Sequence, residues 1–240
     1  MYPYGGFGFY FDWTYILLIP AFILSMWAQF KVSSTFNKYS KVSNRRGMTG
    51  ADAARYILDI NGLRNVRIER INGNLTDHFD PRSNVVRLSD STYASTSVGA
   101  IGVAAHECGH AVQYATGYSP IRIRNAIVPV VNICSKLSIP IIIIGFIFAY
   151  AGSFLNTLLN IGIILFSATV FFQLITLPVE FNASNRAIAT LEQRALLQDD
   201  ELKGAKKVLS AAAMTYVAAA FSAIMSLLRL IIIARGRDRD

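Results

Sequence analysis

At 240 residues with 53% hydrophobic content and a positive mean hydropathy, the chain is more apolar than a soluble domain of its size, so its excess belongs in a bilayer. The net charge of +8, from 23 basic and 15 acidic residues, mostly flanks apolar runs, where membrane topology and anionic lipid heads account for it. No recognition motif accompanies the charge, so no nucleic-acid partner is expected, and two cysteines, Cys108 and Cys134, exclude a disulfide framework and read as free thiols.

The first apolar run, Trp13 to Phe30, holds no charged residue and at helical rise crosses most of a hydrocarbon core about 30 Å thick. Residues 1–30 are therefore expected to form an N-terminal transmembrane anchor, with Trp13, Tyr15 and Trp27 at the headgroup levels. No basic residue precedes the run and no small-residue cleavage pattern follows it, so it reads as retained rather than as a signal peptide. Lys31, Lys38, Lys41, Arg45 and Arg46 behind it point to the cytoplasm, which leaves the tail YPYGGFGFYF outside. Residues 31–48 lack apolar periodicity and read as a juxtamembrane linker.

Residues 49–136 are expected to form a small cytoplasmic α+β portion. Thr49 opens a helix over Ala51 to Ile60 with Asp52 in a capping-box-like position, and Asn61-Gly62 stops it. Val66 to Ile71 alternates apolar and charged residues, as does Val85 to Leu88 after the loop LTDHFDPRSN, which predicts a short antiparallel strand pair. The strand Val85 to Leu88 also offers an edge to which an extended substrate could add. From about Ser95 to Ala115 the pattern is one helix, closed near Gly117.

Residues 137–177 hold two apolar runs broken around Gly152 to Asn160, a membrane hairpin whose outer turn carries no charge. Residues 178–207 read as a polar helix back on the cytoplasmic side. Residues 208–240 read as a last apolar helix, Leu209 to Ala234, followed by a basic tail with Arg235, Arg237 and Arg239. Counting that run as a span, the fold class is mainly α: an integral membrane protein of about four apolar helices plus the small α+β portion.

The helix expected over Ser95 to Ala115 carries AAHECGHAVQ, in which His106, Glu107 and His110 form H-E-x-x-H. Histidines four residues apart lie on one helix face and can ligate one tetrahedral zinc ion, with Glu107 beside them as general base for the attacking water. A chance match in a chain of this length is a roughly one-in-a-hundred event, and the motif takes two of only three histidines. Gly99, Gly102 and Gly109 each weaken the helix by up to about 1 kcal/mol relative to Ala, which predicts close packing against another helix or space beside the metal. A catalytic zinc needs a third protein ligand and an open position; spacing alone leaves Glu180, His78, Asp77 and Asp80 as candidates. For His78 two roles stand open, a hydrogen-bond donor to the tetrahedral oxyanion or a loop histidine fixing a turn with Asp77 and Asp80.

The segments TGADAARYIL, DHFDPRSNVVRLS, VAAHECGHAVQ and LPVEFNASNRA resemble the YugP-like family of neutral zinc membrane peptidases, over nearly the whole chain. The order of anchor, H-E-x-x-H helix, membrane hairpin and Glu-led helix is more distantly similar to the HtpX-type and CAAX-processing membrane peptidases, in which the Glu opening the post-hairpin helix is the third zinc ligand. The resemblance thus implies a gluzincin-like set of His106, His110 and Glu180 around Zn2+. Those relatives usually carry an Asp four residues after that Glu. Here Ser184 stands there, followed by Asn185, so orienting a ligating histidine falls to one of these two or to another partner.

The implied function is a membrane-bound zinc endopeptidase, acting on protein or peptide substrates at the cytoplasmic face of a bacterial cell membrane. The alternative is a non-catalytic zinc-binding scaffold or inactive relative that keeps the metal for folding, which the intact Glu107 argues against. A metal transporter would need charged residues within its spans, and 137–177 has none.

Overall fold

The computed structural model describes residues 13–147 and 153–237; the tail YPYGGFGFYF and Arg239 lie outside them. A 3-10 turn, Trp13–Leu17, runs into α1, Leu18–Tyr39. The helix therefore continues through the first half of the stretch read as a linker. Phe36 is buried and Tyr39 packs on the core of the soluble portion, and those two contacts hold the last turns where the polar sequence shows no stripe. The rest of the linker is also pinned: Nδ2 of Asn44 donates to the carbonyls of Met48 at 2.7 Å and Thr96 at 2.5 Å, beside the start of the metal-motif helix.

Helix α2, Gly50–Ile60, starts on a complete capping box, in which the Thr49 hydroxyl accepts from Asp52 N–H and the Asp52 carboxylate from Thr49 N–H. Three strands follow, β1 Arg67–Ile71, β2 His78–Asp80 and β3 Val85–Ser89, ordered β1-β3-β2 in one sheet. The two strands expected as an antiparallel pair run parallel, Arg67 opposite Val85 and Ile71 opposite Ser89. The reason lies in the intervening loop. Asp80 accepts from the N–H groups of Arg82 and Ser83 and from the Ser83 hydroxyl, folding a tight turn that brings β2 back antiparallel onto β3. β1 is left to add on the other side. β3 is thus central, and the edges of the sheet are β1 and β2 rather than Val85 to Leu88.

Helix α3, Val98–Ala115, is capped by the Ser97 hydroxyl, which accepts from Ala100 N–H. The hairpin begins earlier than its hydropathy suggests: α4 is Ser119–Ile147, eighteen residues upstream of 137, and its Pro129 and Pro140 are accommodated within the helix. Its partner α5, Ser153–Gln193, already covers the stretch to Asn160 read as a break. α5 also runs straight through Pro178, so no new helix opens at 178. The chain turns at Ala195, in a left-handed conformation with φ of 48°, before α6, Asp199–Arg237.

Among the described residues four helices are long and apolar enough to cross a membrane, α1 with its leading turn, α4, α5 and α6, as expected of a multi-pass membrane protein. With 41 residues, α5 measures about 60 Å at 1.5 Å per residue, twice the hydrocarbon core. Its far end, with the start of α6, therefore joins the soluble portion, where Leu191, Leu202 and Leu209 share a core with Ile57, Leu58, Leu88 and Ile101.

α3 threads the middle of that core, and its glycines are contact points. A Cβ on Gly109 would stand 2.6 Å from the Ala183 carbonyl oxygen of α5, whereas one on Gly102 would meet only the Ala205 methyl of α6 at 3.4 Å. The close packing read from the sequence is there. Gly109→Ala should therefore lower stability by about 1–3 kcal/mol and reduce zinc retention, because it pushes α3 off the helix that carries Glu180. Gly102→Ala should be nearly neutral. Thermal unfolding and metal content of both variants in detergent check this, and equal behaviour of the pair would contradict it.

Candidate metal centre

α3 and α5 together bring three donors to one point. Oε2 of Glu180 lies 3.3 Å from Nε2 of His106 and 3.5 Å from Nε2 of His110, and one donor atom from each residue falls within 4.8 Å of the others. Two observations fit a candidate cation site. Charge-assisted N–H···O contacts close to about 2.7–2.9 Å, and these stay longer. Ligands at about 2.0–2.1 Å from a tetrahedral zinc are about 3.3 Å apart, which is the spacing found. The donor set fits the ion.

The imidazoles are held so that Nε2 faces inward. Nε2 of Gln113 donates to the Val179 carbonyl at 2.7 Å and to Oδ1 of Asn182 at 3.0 Å, and Oδ1 of Asn182 also accepts from Nε of Arg186. The Gln113 amide orientation is thereby fixed, and its Oε1 must accept from Nδ1–H of His110 at 3.0 Å. His110 is then the tautomer with a free lone pair on Nε2, as a metal ligand requires. Nδ1 of His106 lies 3.1 Å from the Ser184 hydroxyl, one helical turn beyond Glu180. Asn185 is exposed on the far side and has no such contact among the described residues.

Burial works against charge on His110, yet Glu180, Glu107 and the Gln113 oxygen outweigh it and hold its pKa above the ordinary histidine value. The cavity encloses about 170 Å³ and is lined by Glu107, Tyr216 of α6, Arg124 of α4 and the β2 segment Asp77 to Phe79 as well as the three donors. Nη1 of Arg124 is 3.5 Å from the other Glu180 oxygen.

Of the rival third ligands, Asp77 accepts from Ser89 N–H and hydroxyl, and Asp80 from its turn and from Arg87, so neither carboxylate joins the donors. His78 lines the cavity, but its Nδ1 faces the Thr76 carbonyl at 3.0 Å and must donate there. Cys108 points away into the core, toward the Ala54 carbonyl, and burial pushes its thiol far above the usual range. Sequence reasoning missed Gln113, Arg124 and Tyr216. Only Gln113, three residues beyond His110 on the same helix face, left a readable signal.

These features define a class, the multi-span membrane proteins with a His-His-Glu cluster able to hold a metal ion. The chain belongs to the family described as "Putative neutral zinc metallopeptidase", whose model matches residues 14–235. It is 52% identical over 227 residues to "Putative membrane protease YugP" of Bacillus subtilis (strain 168), covering 93% of this chain and 98% of that protein. No solved structure matches it. Zinc is thus the metal this family implies for the centre.

Two expectations follow. Ser184→Ala should keep the fold but weaken zinc binding about 10–100-fold, read by competition with a chelating dye; unchanged affinity would remove the role assigned to the hydroxyl. Asp80, whose carboxyl is held well below the usual range by the Ser83 hydroxyl first and then by Arg87, should stabilise the β2–β3 turn. Its contribution is complete above pH about 5, where the unfolded carboxyl is ionised, and fades as pH falls from there toward the native value. Asp80→Asn should therefore melt below the parent at neutral pH and converge with it in acid, and parallel curves would contradict this.

Proposed function

We propose that the protein is a membrane-bound zinc-dependent endopeptidase that hydrolyses peptide bonds of substrates at the cytoplasmic membrane face. The observation that carries the reading is the convergence of His106, His110 and Glu180 on one point, with the buried carboxylate of Glu107 lining the same cavity. These three residues would hold the zinc. When bound, the ion lowers the pKa of its water and polarises the scissile carbonyl.

The remaining chemistry is the chain's. Glu107 takes the proton of the attacking water and returns it to the leaving amine. As hydrogen-bond donors to the oxyanion we favour Tyr216 and Arg124, because His78 already spends its one neutral-state N–H on the Thr76 carbonyl. β2 pairs on one side only among the described residues and borders the cavity, so an extended substrate adding along its free edge would bring its backbone past the metal. The basic cluster behind α1 supports a cytoplasmic site.

The test separates metal from chemistry. Glu107→Gln should lower cleavage of a membrane-tethered reporter by at least about 100-fold while zinc stays near one per chain, and Glu180→Ala should lose the zinc itself. Proteolysis that survives Glu107→Gln would end the mechanism. A zinc-loaded parent without any cleavage would leave the scaffold reading in its place.

A further inference from the structure

A second site lies between α1 and α6, away from the metal centre. The two helices touch at two levels. The Ser25 and Ser222 hydroxyls meet at 3.0 Å within the spans, and at the soluble end Gly204 is so close to Tyr39 that a Cβ there would stand 2.7 Å from the ring. Between these contacts the helices enclose a cavity of about 820 Å³ open to the outside of the bundle.

Its lining is graded along the helix axis. Trp27 of α1 lies at the end toward the membrane, Lys31 stands level with Met214 of α6, and Lys38, Lys206 and Lys207 form the end toward the soluble portion. The spacing is regular on both helices, seven residues from Lys31 to Lys38 and from Lys207 to Met214, so one face of each helix builds the site. No acidic side chain lines the cavity. Lys206 is engaged by Glu192 at 3.2 Å, but among the described residues Lys31 and Lys207 have no ion-pair partner.

A group of clustered ammonium ions beside an aromatic ring, above an apolar floor and between two spans, matches one ligand chemistry. It takes a phosphate anion that carries an apolar tail. We propose that this cavity binds the headgroup of an anionic phospholipid, with the phosphate between Lys31 and Lys207 and an acyl chain along Trp27 and Met214. Lys31, Lys38 and Lys207 are exposed along an open groove between the two helices, so a headgroup can reach them from the lipid side. A headgroup seated there would tie α1 to α6, the helix that also supplies Tyr216 to the metal cavity.

The chain contains two tryptophans, so in a Trp13→Phe background Trp27 reports alone. The full-length protein is reconstituted in phosphatidylcholine vesicles containing a small mole fraction of brominated phosphatidylglycerol or, in the control, brominated phosphatidylcholine. Brominated phosphatidylglycerol should quench Trp27 at lower mole fraction than the zwitterionic lipid. Adding Lys31→Gln and Lys207→Gln should raise its half-quenching fraction about tenfold, whereas Lys41→Gln with Arg46→Gln, charges outside the cavity, should not. Equal quenching by the two lipids, or equal effects of the two double variants, overturns the site. Loss of the preference on adding inorganic phosphate, with chloride at matched ionic strength without effect, assigns the cavity to soluble phosphate and overturns the lipid assignment.

Discussion

The structure depends on how closely α3 can lie against α5. At Gly109 the two backbones approach so nearly that no side chain fits between them, and this contact sets the reach from His106 and His110 to Glu180. One helix supplies both imidazoles and the other supplies the carboxylate. Neither could place all three, since residues facing one point from a single helix must fall three or four positions apart. The glycine weakens α3 as an isolated helix, and the packing it allows on every side offsets that.

The bilayer explains where the carboxylate stands. α5 is far longer than a membrane needs, so part of it extends beyond the apolar layer, and it carries Glu180 just past Pro178. A carboxylate that is 2% exposed would be costly if unpaired. Here it faces two imidazoles on one side and Arg124 on the other, and Gln113 of α3 and Tyr118 just beyond it donate to the carbonyls of Val179 and Pro178 beside it on α5. The same amide that satisfies α5 therefore also sets the tautomer of His110. Helix-to-helix contact and ligand orientation share one side chain.

The legible part of this arrangement was local. H-E-x-x-H, the Thr49 capping box, the helix expected from about Ser95 to Ala115 and the first apolar span are all written in residues within a turn or two of each other. Glu180 was one of four candidates on spacing, and only resemblance singled it out, because its partner is 74 residues away in sequence. Tyr216 sits in an Ala-rich run and Arg124 at the head of an apolar one, where nothing local marks a site. The parallel pairing of β1 and β3 was hidden for a similar reason: β2 is only three residues long, too short for an alternation to show, yet its turn decides the order of the sheet. The boundary set at Pro178 misled as well, since that proline lies inside α5.

The central claim is that two imidazoles and one carboxylate, with no sulfur, hold the metal. Zinc-edge X-ray absorption on the zinc-loaded protein addresses it without relying on turnover. The account predicts two imidazoles, with oxygen completing the remaining positions. A sulfur shell at about 2.3 Å, or a centre with fewer than two imidazoles, would contradict it.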